Sequence, residues 1–471
     1  MQLPIVEPAP LVGTHAEAFR HLFSDTRQFT HFQNYLTGLI VLENKSLSNI
    51  SRCLVESADK TNLSRFLSES PWQPREVNQF RIEYALAQTV NIRQSAEESY
   101  LILDDTLCEH EGSLFEYIDR HYDHCDGTYP LAHNLVTSHY LSGAVRFPVD
   151  YALYRRFEEV TQWETFVHQH FPNQVIPRAA KDRQALHKRL DETLMEDPEF
   201  AALAAQFQTK IEIAQVLLQL AIEHGLPFAT VLMDSWYLSS ELVEALRQAK
   251  KNWISLIKRN RKLDSRSFHL KDANGRPIQC PEPDIKVEDL VPLIPATAYR
   301  PVKTAKQTYW CFSFCPRIAG LGKVRLVISF DNSQLQGTFA LLISNRTDWS
   351  AKKILFKYLK RWPIETFYRD SKQLLGLDAY RTRSFSAIDA HWCFVFVAYT
   401  LLHLDTLPPP AIHPSGQRPT TPSKTIGEVC RQQAQALIER LILWTHEFLQ
   451  QGVTASEVFK RLFAKQHKGV A

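Results

Sequence analysis

The chain has 471 residues, 54 Lys or Arg against 51 Asp or Glu, and 44% hydrophobic residues. These values suit a globular protein with a sizeable core and exclude a disordered chain, a collagen-like repeat and a small disulfide scaffold. The net charge of +3 hides segregation: residues 247–271 carry nine Lys or Arg and one acid, 351–383 carry nine and three, and 97–126 carry ten acids and one Arg.

Residues 15–92 read as a compact helical unit, with Phe29, Phe32, Tyr35, Leu36, Leu39, Ile40 and Leu42 at helical spacing. Short amphipathic pieces follow at 46–54 and 62–67. They suit either a helix-turn-helix with Lys45, Arg52, Lys60 and Arg65 facing phosphates, or a plain packing bundle. From Tyr100 the pattern changes to a short apolar run, Tyr-Leu-Ile-Leu, ending at Asp104-Asp105-Thr106. This predicts a buried strand with a carboxylate at its exit. Residues 135–141 and 144–151 read as two further strands. Lys210–His224 reads as an amphipathic helix stopped by Gly225 and Pro227. Phe228–Met233 is a buried strand ending at Asp234, and a helix capped by Ser239 or Ser240 leads to a strand at 253–257. The order is β-β-β-α-β-α-β, a mixed α/β layer.

Pro and Gly then punctuate the chain, and strand-like runs at 308–314 and 324–330 predict a β-rich insertion over 258–338. A strand at 339–343, a long helical region from Ser350 through Leu375 and a buried helix at 384–404 complete a segment running to residue 405. Six prolines mark residues 406–424 as a linker, and 425–471 as a helical tail. Residues 1–95 then form a helical N-terminal, DNA-binding domain, and 96–257 with 339–405 the core. No apolar run approaches the ~18 residues of a membrane span, and the first residues lack the marks of a signal peptide. The eight cysteines show no framework spacing, so reduced thiols and a cytoplasmic location are expected. His121, His124 and Cys125 lack a second ligand pair and read as surface polar residues rather than a metal site. No GxxxxGK loop is present, so ATP use is not indicated.

Three acids stand out. Asp104 and Asp234 each follow an apolar strand, and Glu365 lies inside a basic helical region. Carboxylates gathered in this way bind hard divalent cations, and a pair of such ions suits phosphodiester cleavage. Tyr358, Arg361, Glu365 and Lys372 fall on one stripe of a helix at about 100° per residue, although Pro363 interrupts it.

Tyr-x2-Arg-x3-Glu-x6-Lys, carried by Tyr358, Arg361, Glu365 and Lys372, resembles the signature around the catalytic glutamate of bacterial insertion-sequence DDE transposases. Asp104-Asp105-Thr106 and Leu232-Met233-Asp234-Ser235 resemble that family's two aspartate motifs. The resemblance implies an α/β fold, a ribonuclease H-like catalytic core with a β-rich insertion, preceded by a helical domain and followed by a helical tail. It implies catalytic and metal-binding roles for Asp104, Asp234 and Glu365, with Asp105 the alternative to Asp104. Tyr358, Arg361 and Lys372 would contact DNA. Two Mg²⁺ or Mn²⁺ ions would serve cleavage at terminal inverted repeats and joining to target DNA. The partners would be double-stranded DNA and a second copy of the chain in a homodimer, with neither membrane nor ATP, in a bacterial cytoplasm at the nucleoid. A catalytically inactive DNA-binding derivative and a metal-dependent nuclease without strand transfer are the alternatives.

Overall fold

A computed structural model describes residues 2–55, 59–123, 126–271, 275–278, 284–408 and 421–466. Most of the linker expected at 406–424 lies outside them, as do His124 and Cys125.

Five helices open the chain: α1 (Pro10–Ala16), α2 (Thr26–Val41), α3 (Leu47–Cys53), α4 (Lys60–Ser68) and α5 (Pro74–Gln88). Three long strands follow, β1 (Ser99–Glu109), β2 (Leu131–Ser142) and β3 (Val145–Tyr154). A helical segment then intervenes, chiefly α6 (Trp163–His170), α7 (Ala180–Leu194) and α8 (Pro198–Ala204). Next come α9 (Lys210–Glu223), β4 (Thr230–Met233), α10 (Ser240–Gln248) and β5 (Asn252–Leu256). Strands β6 (Arg300–Lys303), β7 (Thr308–Phe314), β8 (Arg325–Phe330) and β9 (Phe339–Ser344) precede α11 (Ala351–Tyr358) and α12 (Pro363–Asp370). Helices α13 (Phe385–Thr406), α14 (Ile426–Gln450) and α15 (Ala455–Phe463) close the described chain.

The long strands join one mixed sheet in the order β6-β7-β8-β9-β5-β4-β1-β2, with β3 outside β2. β1 runs antiparallel to β2 and parallel to β4, and β4 runs parallel to β5. The β-rich stretch is therefore a continuation of the main sheet: β9 pairs with β5, and β8, β7 and β6 follow antiparallel. Backbone pairing extends the sheet because β5 would otherwise be an open edge.

The pleat divides the core. Tyr100 and Ile102 of β1 join one hydrophobic cluster with α2–α4 and α13, whereas Leu101 and Leu103 join another with α9 and α10. Alternate side chains of a strand point to opposite faces, so Asp104 and Asp105 inherit opposite sides. α13 is the spine of the first cluster; 83% of its most apolar window is buried, though its length and composition alone would suit a membrane span. The N-terminal helices thus share a core with α13. Lys45, which the helix-turn-helix alternative would turn to phosphates, is buried; its ammonium donates to the Leu39 carbonyl at 2.5 Å, and burial lowers its pKa to about 8.

The helices between β3 and α9 have no counterpart in the sequence reading. They close around a small core of their own, Trp163, Phe166, Val167, Leu186, Leu190, Leu194 and Phe200. Six of the cysteines are free thiols among the described residues.

Candidate active site

The register of the parallel strands sets the first contact. Leu103 of β1 lies beside Met233 of β4, so Asp104, which sits within β1 rather than at the exit expected for it, and Asp234, just past the end of β4, lie side by side. Leu232 shares the first hydrophobic cluster and Met233 the second, which places Asp234 on the Asp104 side. Asp234 then turns the chain: its Oδ1 accepts the backbone N–H groups of Trp236 (2.9 Å) and Tyr237 (3.3 Å).

Glu365 arrives on α12. The expected single helix is three segments: α11, a 3₁₀ turn at Leu359–Arg361, and α12, with Pro363 in its first turn. A proline there lacks only a donor that would be unsatisfied anyway, so it starts a new helix rather than kinking one. α12 buries Ile364 and Phe367, and the Tyr368 hydroxyl meets Thr137 Oγ1 of β2 at 2.6 Å. A π-helical turn at Ser371–Leu375 ends at Gly376, whose φ is +73°. A Cβ there would lie 2.6 Å from Lys45 Cγ, so both backbone and space call for glycine.

Through these breaks the four signature residues still reach one place. Arg361 Nη1 donates to Asp104 Oδ2 at 2.6 Å, and Nη2 to Glu365 Oε1. Tyr358 is packed beside Arg361 with its hydroxyl buried. Lys372 Nζ donates to the Leu107 carbonyl at 2.6 Å. The polar groups of Tyr358 and Arg361 therefore face the protein interior, while Lys372 lines the cleft with its ammonium tied to a backbone carbonyl. A half-buried acid pair needs a counter-charge, and Arg361 supplies it.

Burial opposes ionisation of Asp104. Arg361 counteracts it, but Asp105 and Asp234 add repulsion, and its pKa is pushed up to about 7. Burial also raises Asp234, against the two backbone N–H groups that its carboxylate accepts. Burial disfavours the Arg361 charge, but Asp104, Glu365 and Asp234 outweigh it and raise its pKa.

Asp105 lines the same cleft but keeps different company. Its carboxylate meets Lys210 Nζ at 2.8 Å and the Tyr237 hydroxyl at 2.9 Å. With its amide nitrogen turned to Asp105, Asn134 donates to Oδ2 at 3.1 Å and accepts from Lys210 at 2.9 Å. Lys210 is fixed at the start of α9 by a capping box between Thr209 and Glu212. The two aspartate side chains are almost equally buried, 17% and 21% exposed, so partners rather than depth distinguish them.

The cleft holds about 650 Å³ and is lined by Asp104, Asp105, Asp234, Lys210, Lys258 and Lys372, among others. Carboxylate oxygens suit hard divalent cations. Burial of Asp104 and its approach to Asp105 and Asp234 make ionisation costly, a cost a bound cation would offset, so the donor types fit such an ion. As the side chains stand, no three His, Cys, Asp or Glu among the described residues converge closely enough to hold a metal. The Arg361 guanidinium lies between Asp104 and Glu365, where cationic charge is needed. Lys210, Tyr237, Asn134 and Trp236 were missed in the sequence, because no spacing links them to the acids. His121, read as a surface residue, is buried, and that burial lowers its pKa to about 4.

A family model described as DDE superfamily endonuclease matches residues 18–309. That span includes Asp104 and Asp234; Glu365 lies beyond it. A protein of Microchaete diplosiphon described as "Probable transposase for insertion sequence element IS701" is 24% identical over 265 residues. The alignment spans 54% of this chain and 57% of that protein's length. With well over half of its length matched by the family model, the chain belongs to the DDE superfamily endonucleases.

Proposed function

We propose that the chain is a DNA transposase in which Asp104, Asp234 and Glu365 hold two Mg²⁺ or Mn²⁺ ions for cleavage at element ends and joining to a target. The observation that carries this reading is the shared Arg361: Asp104 and Glu365, 261 positions apart in the chain, grip one guanidinium beside Asp234. Only acids that face a common point can do so. The β-β-β-α-β-α-β order around β1 supports a ribonuclease H-like core, and superfamily membership supports a divalent metal. The likeness to the insertion-sequence relative supports strand transfer over simple hydrolysis.

The chain's own residues do the positioning. Asp104 is held within a central strand of the sheet, and Asp234 directly follows the neighbouring one. Glu365 is set by the docking of α12 through Phe367 and Tyr368. Lys258 and Lys372 place positive charge along the cleft where a phosphate backbone would lie. Divalent cations, when bound, would activate the attacking oxygen and stabilise the leaving one. Two copies on paired element ends, in the cytoplasm at the nucleoid, complete the reading.

The test uses the full chain with DNA carrying the sequences that flank its coding region, in Mg²⁺. The reading expects cuts at the element ends and joined products, both lost on adding a chelator and in Glu365→Gln, with DNA binding retained. Cleavage that survives in Glu365→Gln would contradict the assignment. Cleavage without joining would leave a nuclease.

A further inference from the structure

The helix that brings Glu365 to the cleft, α12, is only eight residues long, and the π-helical turn that follows it carries Lys372. A helix this short keeps its shape through tertiary contacts, and a π-helical turn is rarer still and found mostly at functional sites. The turn closes on itself by a hydrogen bond from the Leu377 backbone N–H to the Ser371 carbonyl at 3.0 Å. The carbonyl of Gly376, which ends the turn, is met by an imidazole: His391 Nε2 of α13 lies 2.8 Å from that oxygen.

A carbonyl can only accept, so Nε2 carries the ring proton and Nδ1 is left as an acceptor. The Tyr35 hydroxyl of α2 donates to it at 2.8 Å. Both side chains are buried, and burial lowers the pKa of His391 to about 4, so the ring is neutral and the two bonds have one arrangement. The same arrangement recurs a few residues on. The Tyr380 hydroxyl lies 2.6 Å from His133 Nδ1 on β2, and His133 Nε2 lies 2.8 Å from the Glu116 carbonyl. The rings of Tyr380 and His391 are 5.4 Å apart, so the two sets adjoin.

Lys372 has its ammonium on the Leu107 carbonyl of β1 and lines the acid cleft. A lysine stem is flexible, so where its ammonium stands depends on where its backbone is fixed. Leu375 and Leu377, both fully buried, hold the turn against the core. Apolar burial is non-directional, however, whereas the bonds of His391 set the orientation of the Gly376 peptide. We propose that Tyr35 and His391 are positioning residues for the cleft: through Gly376 they fix the turn that carries Lys372, and so tie the N-terminal helices to the aim of its ammonium.

What Lys372 does to DNA rests on the reading above, whereas its position is measured with neither DNA nor metal. The probe is an N-hydroxysuccinimide ester on the full chain, with the acylation rate of each lysine read by peptide mass spectrometry. Exposed Lys360 is the reference, and buried Lys357 reports general loosening. In His391→Leu and in Tyr35→Phe, Lys372 should react several-fold faster relative to Lys360, with Lys357 unchanged. Tyr35→Phe keeps the ring and loses only the hydroxyl, so it carries the test if the leucine variant fails to fold. His391→Gln can still donate to the Gly376 carbonyl and accept from Tyr35, and should return Lys372 to its wild-type rate. Single-turnover cleavage should follow the same order, with His391→Leu slower by on the order of tenfold, the scale of one buried hydrogen bond. Lys372 as slow as in the wild type, or a matching rise at Lys357, would overturn the positioning role. A freed Lys372 with cleavage at the wild-type rate would overturn its link to the reaction. A wild type that cleaves no DNA would contradict the reading of the cleft instead, and the lysine rates would still decide the role of Tyr35 and His391.

Discussion

Two adjacent aspartates in the middle of β1, which runs on to Glu109 rather than ending at them as expected, occupy the two faces of one sheet, and their surroundings differ in kind. On the Asp105 side the charge is already neutralised by Lys210, Tyr237 and Asn134, a closed polar cluster. On the Asp104 side Asp104 and Glu365 share one guanidinium near Asp234, whose carboxylate accepts two backbone N–H groups, and burial leaves Asp104 reluctant to ionise. Satisfied polar groups hold a structure in place, whereas a cluster left short of positive charge is prepared for a cation. On the proposed reading, the pleat gives one acid a structural role and its neighbour a place among the metal ligands.

The largest effect expected from this contrast is on cleavage. Asp104→Asn should slow single-turnover cleavage by on the order of 1,000-fold, the scale of several kcal/mol of charge stabilisation. Asp105→Asn should slow it by no more than about tenfold, through small shifts of Lys210 and Tyr237. Equal losses would erase the distinction between the two faces.

Next in size is the competition for the acids. Arg361→Ala removes the internal counter-charge, so Mn²⁺ should bind the DNA-free protein about tenfold more tightly, read by titration calorimetry. Weaker binding would mean that Arg361 positions the acids rather than substituting for a cation.

The pH dependence has a definite sign. Asp104 has its pKa raised, to about 7. Folding therefore favours its protonated form, and the stability this contributes is fully present below the unfolded carboxyl range and lost as pH rises through about 7. Cation binding needs the ionised form, so Mn²⁺ affinity should climb by up to tenfold per pH unit approaching pH 7 and level off above it. Asp104→Asn should flatten that profile, and Asp105→Asn should leave it.

The smallest effects concern stability and salt. Lys210→Met leaves Asp105 without its cation and should lower stability by about 1–3 kcal/mol in denaturant unfolding. Asp105→Asn combined with Lys210→Met should cost less than the sum of the single changes. Because Arg361 and Lys372 already have internal partners, their joint replacement by Ala should flatten the slope of log DNA affinity against log salt by about one unit at most.

Much of this was legible in the sequence. The apolar runs before Asp104 and Asp234 are strands, and strand alternation alone separates Asp104 from Asp105 once Tyr100 and Ile102 are placed on one side. The signature residues could be read from their spacing even though Pro363 and the π-helical turn break the helix, since those breaks leave the directions of the side chains nearly intact. The rest depends on contacts between distant segments. Nothing local shows that Lys210 reaches back across 105 positions to Asp105, or that the β-rich stretch extends the main sheet. The helices at 163–204 escaped because their apolar residues are few and close a small core of their own. Between the two readings of the N-terminal helices, Lys45 could not decide in the sequence, because only its packing against Gly376 and Leu39 shows that it is buried.

The most direct test exchanges each aspartate of the pair for cysteine and compares DNA cleavage in Mg²⁺ and Mn²⁺. A thiolate is a poor ligand for Mg²⁺ and a better one for the softer ion. Asp104→Cys should be inactive in Mg²⁺ and recover measurable cleavage in Mn²⁺, while Asp105→Cys behaves alike in both. Rescue by Mn²⁺ in Asp105→Cys and not in Asp104→Cys would contradict the assignment of the two faces.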